Sequence, residues 1–125
     1  MSSTAGGGTF SREQCLALLA TVPIGRIVHT DRALPAVTPV TFALDGDVVT
    51  VHAEATLGAA IGGSIVAFQA DDVDPHTMVG WSVTVIGRAV FTGGPVPRPC
   101  SGPPGRAPAL RIPVRHASGV RVGPR

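Results

Sequence analysis

The sequence predicts a mostly β protein: about six short antiparallel strands closed into a small barrel, with one N-terminal helix and one shorter helix. Three observations carry that expectation. β-Branched runs recur along the chain, turn signals such as Asp45-Gly46 separate them at hairpin spacing, and helical patterning is confined to two stretches. Closing the sheet into a barrel removes its edges.

The first helix is signalled by Ser11-Arg12-Glu13-Gln14, which has the S-x-x-Q form of a capping box. Cys15, Leu18, Leu19 and Val22 follow at i, i+3, i+4 and i+7 and make one apolar stripe, and Pro23 and Gly25 end the helix. Cys15 is therefore read as core. Arg26 to Thr30 reads as a first strand and Ala36 to Leu44 as a second. Pro39 lies inside that second strand and cannot donate to a ladder, so it belongs at an edge, at a bulge, or where the backbone faces something other than a strand. Asp45-Gly46 turns the chain into a returning strand, Val48 to His52.

Glu54 to Ile61 is Ala-rich and reads as the short helix, closed by Gly62-Gly63. Ile65 to Ala70 reads as a buried strand, Asp71 to Gly80 as an acidic loop, and Trp81 to Phe91 as a long strand with Trp81, Val83, Val85 and Gly87 on one face. Ten of the sixteen residues from Gly93 to Pro108 are Pro or Gly, which excludes a helix or a central strand. Leu110 to Val114 and Val120 to Val122 read as final strands parted by Ser118-Gly119, with Pro113 confining the first to an edge. A chain of 125 residues suits one domain with a modest core. We expect a flexible tail over 1–10, a single domain over 11–125, and an arm over 93–108.

Composition narrows function. Apolar residues make up 44% and charged residues 14%, which argues against disorder. No window is apolar enough to cross a bilayer, and Met1 to Thr9 lacks a signal pattern, so a cytoplasmic protein with no membrane partner is expected. The net charge is only +2, and the basic residues other than His are all Arg. Without Lys there is no Schiff-base amine. The Arg residues are scattered, with a loose group at Arg111, Arg115, Arg121 and Arg125, so no nucleic-acid partner is expected. Cys15 and Cys100 give no C-x-x-C, and no metal site is expected. Neither a G-x-S-x-G nor a phosphate-binding Gly loop after a strand is present. The catalytic residues cannot be named on these grounds. What remains is a ligand held by strand backbone and barrel wall.

The ordered segments Thr21-Val22-Pro23-Ile24-Gly25-Arg26-Ile27, Pro35 to Phe42, Asp45-Gly46, Val49 to Ala53, Val66 to Pro75 and Gly80-Trp81-Ser82-Val83 carry a resemblance. In that order they resemble the flavin-binding split-barrel proteins of the pyridoxamine-5′-phosphate-oxidase-like superfamily, including its nitroimidazole-reductase-like branch. The resemblance covers about residues 11–92, with a weaker tail over 110–122. It implies a split β-barrel, a homodimer and FMN at the subunit interface. Pro39, Val40, Thr41 and Phe42 would lie along the isoalloxazine ring through their backbone. Val51, His52, Ala53, Thr56 and Leu57 would surround the phosphate, beside the N-terminus of the short helix. Relatives commonly present Arg or His, then a hydroxyl, then Lys; here His52 holds the first place, Ala53 replaces the hydroxyl, and no Lys follows. Trp81 and Ser82 match positions beside the flavin, although Trp81 also suits barrel core and His52 a plain strand end. Arg88 could reach a phosphate or pair with the acidic loop, and the salt bridge is the preferred reading.

The implied function is an FMN-dependent oxidoreductase acting on a small planar substrate. Pyridoxamine-phosphate oxidation itself is disfavoured, because that substrate carries a second phosphate and matched cations are few. The alternative is a non-catalytic module on a degenerate barrel, carrying haem, deazaflavin or another cofactor.

Overall fold

The computed structural model describes residues 9–52, 55–91 and 109–124, and the side chains of all of these but 55 and 56. The arm at 93–108 and Cys100 lie outside the described residues. Helix α1 (Arg12–Leu19) starts at the expected capping box: the Gln14 amide donates to Ser11 Oγ, and the Ser11 amide donates to Gln14 Oε1. It buries Cys15 and Leu19 against the sheet.

Eight antiparallel strands follow: β1 (Ile24–Asp31), β2 (Leu34–Asp45), β3 (Val48–His52), then helix α2 (Ala55–Ile61), β4 (Ile65–Val73), β5 (Gly80–Arg88), β6 (Val90–Phe91), β7 (Ala109–Pro113) and β8 (His116–Val122). Their order across the sheet is β6-β7-β3-β2-β1-β4-β5-β8. The fold is mostly β, a split barrel, as expected; among the described residues it has two helices and eight strands rather than about six.

One ribbon closes the barrel. Gly80 to Phe91 contributes β6 to one end of the strand order and β5 to the place next to β8 at the other. Between them Ala89 breaks the ladder, and its N–H and C=O bond instead to Ser64 O and Gly63 N. The long strand expected over 81–91 is thus divided in two. Arg115 N donates to Ile86 O and Val114 N to Asp47 O, which ties the β7–β8 connection to both halves.

Alternation along the strands builds the core. Val49 and Val51, Val66, Phe68 and Ala70, Val83 and Val85, and Leu110 and Ile112 all point inward. Phe68 is fully buried and meets Phe42 edge-on, with ring centroids 4.7 Å apart.

Three expectations are corrected. Asp71 and Asp72 belong to β4, not to a loop; only Asp74 turns the chain, accepting from the amides of His76 and Thr77. Ser118-Gly119 lies within β8 rather than parting two strands, and Gly119 packs on Cys15, where a Cβ would lie 3.0 Å from the Cys15 sulfur. Strand β7 is not an edge strand, because β6 and β3 flank it; Pro113 is tolerated because β6 reaches only Leu110 and Arg111.

Candidate functional site: the open flank of β2

Strand β2 is paired on both sides only in part. From Leu34 to Thr41 it pairs with β1, and from Phe42 to Asp45 it pairs with β3. The β3 ladder stops at Phe42–Val51. Among the described residues, the flank of β2 away from β1 has no strand partner from Leu34 to Thr41. The backbone groups that face away from β1 there are left without a strand partner, with carbonyl acceptors throughout but no N–H donor at Pro35 or Pro39. Pro35 and Pro39 both stand in this segment, opposite Thr30 and Arg26. A strand carrying two prolines cannot offer a full ladder to another strand.

None of residues 34–41 is fully buried, and Leu34 and Val37 are 67% and 59% exposed. The register extends this apolar character outward. Val37, Val28, Ala67 and Ile86 stand directly opposite one another across β2, β1, β4 and β5 on the outer face. A pocket of about 290 Å³ opens beside them, lined among others by His29, Pro35 and Ile65. His29 Nε2 lies 3.2 Å from Thr38 Oγ1, while its buried Nδ1 has no hydrogen-bond partner among the described residues.

The next rows on the same face are polar. Arg26 lies between Pro39 and Gln69, and its guanidinium is 3.3 Å from both Asp71 carboxylate oxygens. Gln69 Nε2 donates to Ser82 Oγ at 3.3 Å. Arg26, Gln69 and Asp71 were not singled out from the sequence as site residues; only the strand order places them between β2 and Ser82. Arg88, expected to pair with the acidic segment, donates instead to Gly63 O. Arg26 takes that role.

Side-chain direction divides the eleven residues proposed from the sequence. Pro39, Thr41, His52 and Ser82 face outward, with Pro39, Thr41 and His52 exposed and Ser82 half-buried. Val40, Phe42, Val51 and Trp81 face the core side; Phe42 and Val51 are buried, and Val40 and Trp81 are half-buried and packed on the core. Leu57 on α2 is likewise half-buried. Ala53 lies outside the described residues, as does the side chain of Thr56. Thr41 and Ser82 share the outer face but stand three strands apart, about 14 Å at the usual strand spacing. Within one chain they do not meet.

A second group forms across β3 and β7. Thr50 is opposite Arg111 and His52 opposite Ala109, so Thr50, His52 and Arg111 share the outer face at the end where β2 and β3 part. The β7–β3 pairing joins segments far apart in sequence, which is why the sequence grouped Arg111 only with other arginines. Together the free backbone of β2 and an imidazole, a hydroxyl and a guanidinium fit a flat, heteroatom-rich ring carrying a phosphate. Among the described residues no helix is long and apolar enough to cross a membrane.

The chain is 40% identical over 91 residues to the uncharacterized protein Rv0080 of Mycobacterium tuberculosis, a match that takes in 67% of this chain and 60% of that protein. It therefore spans about 60% of the length of that curated relative. Among solved structures it is similar to the FAD binding protein from Mycobacterium smegmatis, with 27% identity, a TM-score of 0.75, and coverage of 93% of this chain and 98% of that one. It is similar in fold to an FAD-binding protein from Mesorhizobium loti at 18% identity, with a TM-score of 0.70 and coverage of 94% and 98%. A family model described as pyridoxamine 5′-phosphate oxidase matches residues 11–91, and the chain belongs to that family.

Proposed function

We propose that this chain is a flavin-dependent oxidoreductase acting on a small planar substrate, and that two copies hold FMN between them. The observation that carries the reading is the unpaired flank of β2 from Leu34 to Thr41. Its backbone N–H and C=O groups need partners, and the ring edge of a flavin offers complementary ones. When bound, the flavin supplies hydride or electron exchange with the substrate. The protein's part is to orient the ring with backbone donors, exclude water with the apolar outer face, and hold the phosphate near His52.

Two further features support the reading. The apolar row of exposed Val37 and Ile86 with half-buried Val28 and Ala67 between them is the kind of surface that a second copy would cover. Pairing across that face would also bring Ser82 of one copy toward β2 of the other, which a single chain does not do. The Mycobacterium smegmatis relative described as FAD binding supports a flavin as the ligand.

The test is a titration of the purified protein with FMN and, separately, with FAD, followed by visible absorption and flavin fluorescence. Saturable binding of FMN, followed by reduction of the bound flavin by a nicotinamide donor, supports the oxidoreductase. Uptake of neither flavin contradicts it.

A further inference from the structure

We infer that Arg111 supplies the cation for the phosphate of the cofactor, in place of the Lys that this chain lacks; the inference rests on the flavin reading above. A phosphate monoester is close to dianionic at neutral pH and is held by charge-assisted hydrogen bonds. The end of β3 and the start of α2 offer His52 and Thr56 but no Lys, and the whole chain contains none. Sheet order makes good the deficit from another strand.

The placement follows from register. Arg111 is opposite Thr50, and His52 lies two residues further along β3, past the inward-facing Val51, so Arg111 and His52 are diagonal neighbours on the outer face. Diagonal pairs in an antiparallel ladder lie about 7–8 Å apart at Cα, within the reach of an arginine side chain. The position is rigid: Leu110 and Ile112, on either side of Arg111, are fully buried. Arg111 is therefore presented by the barrel wall and not by a loop.

The other described arginines are engaged or elsewhere. Arg12 donates to Val114 O and pairs with Asp47, Arg26 pairs with Asp71, Arg88 donates to Gly63 O, and Arg121 lies over the Phe10 ring. Arg32 is in the β1–β2 turn, and Arg115 lies beyond the far end of β7. The Arg111 side chain makes no hydrogen bond or ion pair with another described residue, while its backbone runs in the ladders opposite Thr50 and Val90. On the outer face of β2, β3 and β7 the nearest carboxylate by register is Asp45, opposite Val48, two strands and one row away. A planar guanidinium left uncommitted beside an imidazole and a hydroxyl suits bidentate capture of a phosphate.

The experiment compares FMN with riboflavin, which has the same ring and no phosphate. Dissociation constants are measured by fluorescence quenching for the wild type, Arg111→Gln and Arg111→Lys, with thermal melts to verify folding. Arg111→Gln weakens FMN about 10-fold or more, the scale of one lost charge-assisted bond. It leaves riboflavin within about twofold, and Arg111→Lys recovers part of the FMN affinity because charge is kept without the fork. Unchanged FMN affinity in Arg111→Gln, or equal loss for both flavins, overturns the assignment while leaving the flavin reading intact. A wild type that binds neither flavin overturns both.

Discussion

Gly87 on β5 runs so close to Pro113 on β7 that a Cβ at Gly87 would lie 2.1 Å from the Pro113 carbonyl oxygen. This contact stands where the barrel closes, next to the break at Ala89 that sends the chain from one half to the other. Backbone, not a flexible side chain, blocks the space. Gly87→Ala should therefore cost about 2–3 kcal/mol, at the upper end for an inserted methyl. Urea unfolding measures it; a loss below about 0.5 kcal/mol would mean that the two halves are not held together here.

Phe68 tests the core. Its ring is fully buried, meets Phe42 edge-on, and lies over Gly25, where a Cβ would come 2.3 Å from the Phe68 ring. Phe68→Ala should cost about 3–5 kcal/mol, enough to unfold much of a marginal domain. Phe68→Leu should cost less than Phe68→Ala, because it leaves a smaller cavity. Equal losses for the two variants would show that the site collapses freely around any smaller residue.

The β1–β2 turn is strained and can be improved. Arg32 and Ala33 have φ of 53° and 66°, a left-handed pair suited to a two-residue hairpin but costly for residues with a Cβ. Replacing them by Asn and Gly should raise stability by about 1 kcal/mol. A thermal melt of the double variant decides the matter, and a lower midpoint would argue against this turn geometry.

Cys15 gives a pH signature. Burial pushes its thiol up from the ordinary 9.0, so the folded protein holds the neutral form. The associated stability is complete below about pH 9 and is lost as pH rises through the higher folded value. In a Cys100→Ser background, unfolding free energy should fall between neutral pH and pH 10, and Cys15→Ala should lessen that slope. An identical slope in the two proteins would assign the alkaline loss to other groups.

The apolar row across β2, β1, β4 and β5 makes the proposed dimer testable. Val37 is 59% exposed, so Val37→Asp should leave the fold intact. Sedimentation equilibrium should find a dimer for the wild type and a shift toward monomer for the variant, with weakened flavin uptake. A monomeric wild type at micromolar concentration would remove the second copy from the proposal.

What the sequence disclosed, and what it hid, divides along physical lines. The Ser11–Gln14 capping box, the Asp45-Gly46 turn and the bounds of β3 were legible because each rests on local chemistry. The β1–β2 turn was not, since Arg32-Ala33 has none of the residues that favour left-handed backbone, and both flanking strands were drawn too short. Asp71 and Asp72 read as loop because charge is depleted in strands; Arg26, from the neighbouring strand, pairs with Asp71. Pro39 pointed correctly to backbone without a full strand partner, but nothing local showed that Thr41 and Ser82 stand apart within one chain. Arg111 beside His52 depends on a long-range pairing that no local pattern announces.

The central claim is that the free flank of β2 receives the cofactor ring, and hydrogen exchange on the intact chain tests it most directly. Without ligand, the amides between Leu34 and Thr41 that point away from β1 should exchange fast, while those bonded to β1 exchange slowly. Adding FMN should slow the first set and leave the second nearly unchanged. Flavin uptake with no added protection anywhere in 34–41 would contradict the account and place the ring elsewhere on the barrel.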